Sequence, residues 1–256
     1  MSFKRSNIIA LVITFAAFTI RISAQESENR DGIALLNKGD FAGAVKALKD
    51  SDSFIDLYYL GRAYENLANE KDAKKAYDKS VKRGYRVVEG EIRKRLPAAD
   101  DKPVAGMSLS TFLQEFAPKL TIAAKAARRA FELKGQLSKE NEWIMKSRFL
   151  YELDKAVNQD AVYSNAELDT ELMITAKSPP GYTDAARKSD TTGTIVLICL
   201  FSREGKVTAA MPVKALANGL TEQAYVAAEK IGFKPGIKNG RPVTSLRTIA
   251  YSFSIY

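Results

Sequence analysis

Few residues in this chain are of the kinds that do acid–base, nucleophilic or metal chemistry. Among its 256 residues there is no histidine. That removes histidine-based triads, most general-base schemes near neutral pH and nearly all common zinc sites. The single cysteine, Cys199, lies inside the apolar run Thr194–Phe201 and reads as a buried small hydrophobe. It has no partner for an intrachain disulfide. Asp154 and Asp160 fall on or near a helix end, and Glu140 and Glu142 near a helix start. All four read as solvated or dipole-complementing charges. No glycine loop suited to phosphate appears. The chain therefore reads as no enzyme, with no catalytic, cofactor-binding or metal-binding residues.

What remains is the chemistry of the backbone. The terminal segment Val243–Tyr256 alternates in the manner of a strand. Val243, Ile249, Tyr251, Phe253 and Ile255 share one parity and are expected to face helices. Thr244, Thr248, Ser252 and Ser254 share the other and are expected to face solvent. If this strand lies at a sheet edge, its unpaired N–H and C=O groups can accept an extended peptide as a further strand. The candidate partner-binding residues are then Thr248, Ile249, Ala250, Tyr251, Ser252, Phe253 and Ser254. The alternative is that the strand only closes the fold.

The elements that position this strand form an ordered series. G-Y-T-D-A-A-R-K, from Gly181 to Lys188, is a turn followed by a short helix. Gly193 and the run Thr194–Phe201 predict a strand, Glu204-Gly205 a hairpin turn, and Val207–Lys214 the return strand. Gly219-Leu220-Thr221-Glu222 leads into a helix, with Thr221 expected at its N-cap. Phe233-Lys234-Pro235 closes that helix, and Asn239-Gly240 makes a second tight turn. The order is α-β-β-α-β, a small antiparallel three-stranded sheet with helices on one face.

That order, with those residues, resembles the TonB C-terminal domain family over about residues 178–256. Tyr182, Ala186, Arg187, Gly193, Thr194, Gly205, Leu220, Glu222, Ala224, Phe233, Lys234, Pro235, Asn239, Gly240 and Pro242 stand where the family pattern wants them. Thr183 replaces a usual proline, and Ile231-Gly232 a usual W-R. The resemblance implies that the sheet edge pairs with a partner, the short N-terminal peptide of an outer-membrane transporter. It also implies a chance of dimerisation by strand exchange through exposed edges.

The residues before it read as helical. Leu57, Leu60-Gly61, Tyr64, Ala73 and Tyr77 are spaced as in the tetratricopeptide family, which they resemble. Small residues at Gly61 and Ala73 would let two helices approach closely. A weaker copy runs through Gly32, Leu35, the turn Gly39-Asp40, Ala44 and Leu48. The alternative is a generic pair of helical hairpins. Pro97, Asp100-Asp101 and Pro103 mark a connection. Beyond it, Leu113, Phe116, Leu120, Ala124, Ala127 and Phe131 make one apolar stripe, which Pro118 is expected to kink or restart. Gly135 breaks that helix, and Ser138 is a candidate cap for a helix carrying Trp143, Phe149, Leu153 and Val157.

The resulting expectation is a multidomain α plus α+β chain. Residues 25–98 form the tetratricopeptide-like repeats, 99–170 a helical block and 171–256 the TonB-like domain, with Ser178-Pro179-Pro180-Gly181 near the last boundary. Residues 1–24 carry Lys4 and Arg5, the apolar run Ile8–Ile20 and the small Ala24. This is a secretory signal peptide, or failing cleavage an N-terminal anchor. No cysteine lies there, so a lipoprotein anchor is excluded. The net charge is +9, and loss of that segment removes three cations. For an exported chain the charge points to anionic lipid or cell-wall polymer rather than nucleic acid. Its densest cluster, Lys79–Arg95, reads as a solvated helix face.

The resemblance stops short of a complete energy transducer. Those proteins carry an uncleaved N-terminal helix with a histidine and a long proline-rich rod, whereas this chain has no histidine and eight prolines. The leading expectation is an exported envelope adaptor whose partners are envelope proteins, among them outer-membrane transporters. A membrane-anchored TonB-type energy transducer and a cell-wall-binding protein are the alternatives. The expected location is the periplasm or cell envelope.

Overall fold

The computed structural model describes residues 29–96, 106–134 and 141–254. The leader 1–24, Pro97, Asp100-Asp101, Pro103, Gly135, Ser138, Glu140, Ile255 and Tyr256 lie outside them.

Four capped helices open the described chain. They are α1 (Arg30–Asn37), α2 (Phe41–Leu48), α3 (Phe54–Asn66) and α4 (Glu70–Arg95). Each N-cap is a short polar side chain that accepts from an otherwise orphaned helix N–H: Asn29 from Gly32, Asp40 from Gly43, Ser53 from Ile55 and Asn69 from Asp72. The close approaches expected from the spacing are present. A Cβ on Gly61 would lie 2.6 Å from the Tyr77 ring, and one on Gly32 would lie 2.6 Å from Leu48 Cδ2. Leu60 and Ala73 are buried, and Tyr64 packs half-buried beside them. Tyr77 is buried and its hydroxyl donates to Glu65 at 2.6 Å. Buried Asp56 ties α3 back to the start of α1, accepting from Asn29 N at 2.9 Å and Ser51 Oγ at 2.7 Å.

The long helices α5 (Leu109–Lys134) and α6 (Asn141–Gln159) follow. Pro118 sits inside α5 without interrupting it. Leu113, Phe116, Leu120, Ala124 and Ala127 are buried as the stripe requires, but Phe131 is 52% exposed. Ala130 beside it is buried and Leu133 beyond it packs half-buried on the same core, so the buried face has shifted off the stripe and Phe131 meets solvent. Trp143, Phe149, Leu153 and Val157 of α6 are all buried.

The sheet contains the expected antiparallel unit of β3 (Gly193–Phe201), β4 (Val207–Lys214) and the terminal strand, here β8 (Thr244–Phe253). Gly205, at φ 81°, turns β3 into β4. Two details differ from the sequence-based expectation. First, β1 (Val162–Ser164) adds as a fourth strand, parallel to the start of β8, giving the order β1-β8-β3-β4. Val162 lies in the stretch expected to be wholly helical.

Second, helices cover both faces. On one face Ile195, Leu197, Cys199, Phe201, Ile249, Tyr251 and Phe253 pack with Leu220, Ala224 and Ala228 of α8 (Leu220–Glu229), with Ala186 of the short α7 (Asp184–Lys188) at its margin. On the other, Ile198, Leu200, Ala209, Met211 and Leu246 join the core of α3 to α6, which contains Tyr77, Leu120, Trp143 and Leu153. Burial on both faces explains why β3 reads as an unbroken apolar run rather than an alternating one. One core therefore crosses the expected boundary near residue 170.

Thr221 does not cap α8. Gly219 occupies the N-cap, while the buried Thr221 hydroxyl donates to Leu216 O at 2.8 Å and accepts from Leu216 N at 3.0 Å. Two small ribbons complete the chain. They are β2 (Met173–Ala176) with β5 (Gly232–Lys234), and β6 (Ile237–Lys238) with β7 (Arg241–Pro242). Asn239 and Gly240, at φ 51° and 74°, give the second ribbon a turn of the primed type.

Candidate functional site: an open stretch of sheet edge

Strand β8 has two unlike sides. Along one, it pairs with β3 over its full length, from Ser245↔Phe201 to Phe253↔Gly193. Along the other, β1 covers only Thr244 to Leu246. From Arg247 to Phe253 no described strand lies on that side. Lys177 Nζ donates to the Ala250 carbonyl at 2.7 Å, which shows that this carbonyl points out of the sheet. In an antiparallel pair the outward-pointing residues recur every second position. The N–H and C=O groups of Thr248 and Ser252 therefore face the same way.

The side chains along this edge divide by face. Ile249, Tyr251 and Phe253 are buried against α8 and its neighbours. Thr248 is half-buried, and Ala250, Ser252 and Ser254 are exposed. Ser252 Oγ lies 3.4 Å from Thr194 Oγ1 on the adjacent strand. The expected parity of 249, 251 and 253 is thus the one observed. Leu246, of the opposite parity, is also buried, because the long helices cover that end of the second face.

The expected motif residues surround this strand and build its support. The Tyr182 ring meets Phe253 edge-on at 5.8 Å, and its hydroxyl donates to Thr191 O. Arg187 lies 6.0 Å from the Tyr182 ring and pairs with Asp184 at 3.3 Å. Gly193 has φ 140°, and a Cβ there would stand 3.1 Å from Leu216. Leu220 is buried, and Phe233 meets Phe201 edge-on at 4.8 Å. Half-buried Pro235 links β5 to β6, and Gly240 forms the turn described above. The repeat-packing residues Leu60, Gly61, Tyr64, Ala73 and Tyr77 are not part of this edge.

Two residues that the sequence reading passed over stand at the edge. Besides its bond to Ala250, Lys177 Nζ lies 4.6 Å from the centre of the Tyr251 ring. Arg247 Nη1 donates to Leu172 O at 2.9 Å. Their only sequence signal is position: Lys177 precedes the Ser178-Pro179-Pro180 boundary, and Arg247 lies within the candidate strand.

Elsewhere some of the charges are locally paired. Arg83 meets Asp52 at 2.7 Å, Lys94 meets Glu91 at 2.7 Å, and Arg95 meets Glu91 at 2.6 Å while also lying 3.9 Å from the Phe112 ring centre. In the basic cluster of α4, Arg83, Arg93 and Lys94 are exposed and ion-paired, whereas Arg95 is mostly covered. Burial pushes the Cys199 thiol well above its usual range and Tyr251 up to about 12. Among the described residues no three of His, Cys, Asp and Glu come together as a metal group, and no helix is long and apolar enough to cross a membrane.

A mixed sheet with a partly open terminal strand, backed by α8 and framed by these turns, defines a small α+β unit. Residues 178–255 match the family described as Gram-negative bacterial TonB protein C-terminal. The chain thus carries a match to that C-terminal domain family behind a helical region. A search of curated proteins returns no match.

Proposed function

We propose that this protein is an exported envelope adaptor. Its C-terminal sheet edge pairs with an extended segment of a partner such as an outer-membrane transporter, and its helical hairpins dock a second envelope protein. The hairpins are read as tetratricopeptide-like on the spacing of Leu60, Gly61, Tyr64, Ala73 and Tyr77. The observation that carries the edge reading is the unpaired side of β8 from Arg247 to Phe253, inside the family-matched segment. Peptide addition there would use outward groups of Thr248, Ala250 and Ser252 for affinity and alternate side chains for selectivity.

The test is capture from detergent-solubilised envelope with the mature chain and its Ala250→Pro variant, followed by mass spectrometry. The proline removes an outward N–H and leaves the β3 ladder intact. Transporters retained by the wild type and lost by the variant are expected. Equal capture by both, with the variant folded as the wild type by circular dichroism, would remove the edge from the function.

A further inference from the structure

The open edge is not bare, and the group lying across it is a cation. Lys177 Nζ occupies the Ala250 carbonyl, the acceptor at the middle of the unpaired stretch. Its ammonium also lies near the Tyr251 ring, so it reaches the edge from the side of the sheet that carries Ile249, Tyr251 and Phe253. It makes no ion pair with a described residue. Arg247, the one charged residue of β8, likewise spends its guanidinium on a backbone carbonyl and not on a carboxylate. Two cations without acidic partners among the described residues flank one accepting edge, in a chain whose net charge is +9.

This arrangement sets a condition on what can pair there. An incoming strand must donate an N–H to the carbonyl that Lys177 now holds. A neutral peptide displaces the ammonium and offers it nothing in return. A peptide with a carboxylate on the Tyr251 side of the sheet gives the displaced ammonium a new, charged acceptor. Lysine on an exposed strand is also a common guard against unwanted edge pairing, and such a guard is selective when one kind of partner satisfies it.

The geometry points to Lys177 as a specificity-determining residue that admits acidic extended peptides to the β8 edge and disfavours neutral ones. This rests on the edge-pairing function proposed above. The occupant it specifies is an extended segment with Asp or Glu beside the position that pairs with Ala250, on the face that also carries Arg247 two same-face positions from Tyr251.

The experiment uses the full mature chain and a fluorescent eight-residue peptide of alternating Thr and Val. A single Glu, or Gln as its neutral counterpart, is walked through each position so that no register is assumed. Affinities are read by anisotropy on wild type, Lys177→Met, Lys177→Arg and Ala250→Pro. Methionine keeps an apolar stem over Tyr251 without the charge, and arginine keeps the charge.

At one position the wild type should prefer Glu over Gln by about three- to tenfold at low salt, the preference shrinking as salt screens the pair. Lys177→Arg should retain the preference. Lys177→Met should lose it while binding the Gln peptide at least as tightly as the wild type does. Equal binding of Glu and Gln peptides by the wild type overturns the inference, as does a preference that survives in Lys177→Met. In those cases loss of binding in Ala250→Pro leaves the edge reading standing alone. If no peptide of the series binds, or Ala250→Pro binds as the wild type does, the edge reading falls and the inference with it.

Discussion

Leu246→Ala tests whether the sheet and the long helices are one cooperative body. Leu246 is in strand β8, yet it is 0% exposed and belongs to the core that contains Trp143 of α6. Truncating a buried leucine removes its transfer free energy and leaves a cavity, a cost of about 2–5 kcal/mol. Tight packing on both sides, by strand residues and by long helices, places the cost near the middle of that range. With an m-value of about 3 kcal/mol per molar in urea, the midpoint should fall by about 1 M. Trp143 is the chain's only tryptophan, so its fluorescence reports the helical side without labelling. The expected result is a single transition, with tryptophan fluorescence and far-UV circular dichroism displaced together. If the fluorescence transition keeps its wild-type midpoint while the dichroism transition splits, the shared core is not energetically shared. The long helices then do not clamp the second face of the sheet.

Three further outcomes follow from contacts already described. In Gly61→Leu the new side chain meets the Tyr77 ring; overpacking of about 1–3 kcal/mol or more outweighs the helix-propensity gain of about 1 kcal/mol. Thermal unfolding should shift down, and an unchanged midpoint would contradict the close approach. Glu167 accepts from Ser110 N and Oγ at 3.1 and 2.5 Å and from Ser164 N and Oγ, both at 2.7 Å. Burial works against its charge, but these donors outweigh burial and hold its carboxyl below the ordinary value of 4.5. A carboxyl with a lowered folded pKa stabilises fully above that ordinary value and loses its contribution as pH falls through the folded one. Glu167→Gln should therefore cost about 1–3 kcal/mol near neutrality. The gap should close in acid, and a gap constant with pH in urea titrations would refute it. Cys199, buried with its thiol pushed up, should resist Ellman's reagent in the native protein and react at once in denaturant.

Much of this architecture was legible because it depends on residues close in sequence. Gly39-Asp40 turns α1 into α2, Gly205 turns β3 into β4, Asn239-Gly240 makes the primed turn, and the parity of Ile249, Tyr251 and Phe253 turns them to one face. Gly61 and Tyr77 are separated by one helical hairpin, so their spacing carried their meeting. The expectations that failed concern contacts with no local signature. Thr221 looks like a cap but turns its hydroxyl to Leu216, because Gly219 already occupies the cap position. Phe131 continues the stripe of α5 but points away from the core that Ala130 and Leu133 on either side of it join.

The sequence by itself thus determined a helical region and a TonB-like strand order, with an alternating terminal strand offered for pairing. Caps, turns and periodicity follow from backbone geometry within a few residues. Only the tertiary structure decided how much of that strand stays open. Three residues of β1, distant in sequence, cover one end of it, and the long helices bury Leu246. Lys177 reaches the middle from more than seventy residues away. A hydrogen bond to an edge carbonyl needs only that the chain return to that place, and return is set by packing of the whole core, which no short stretch encodes.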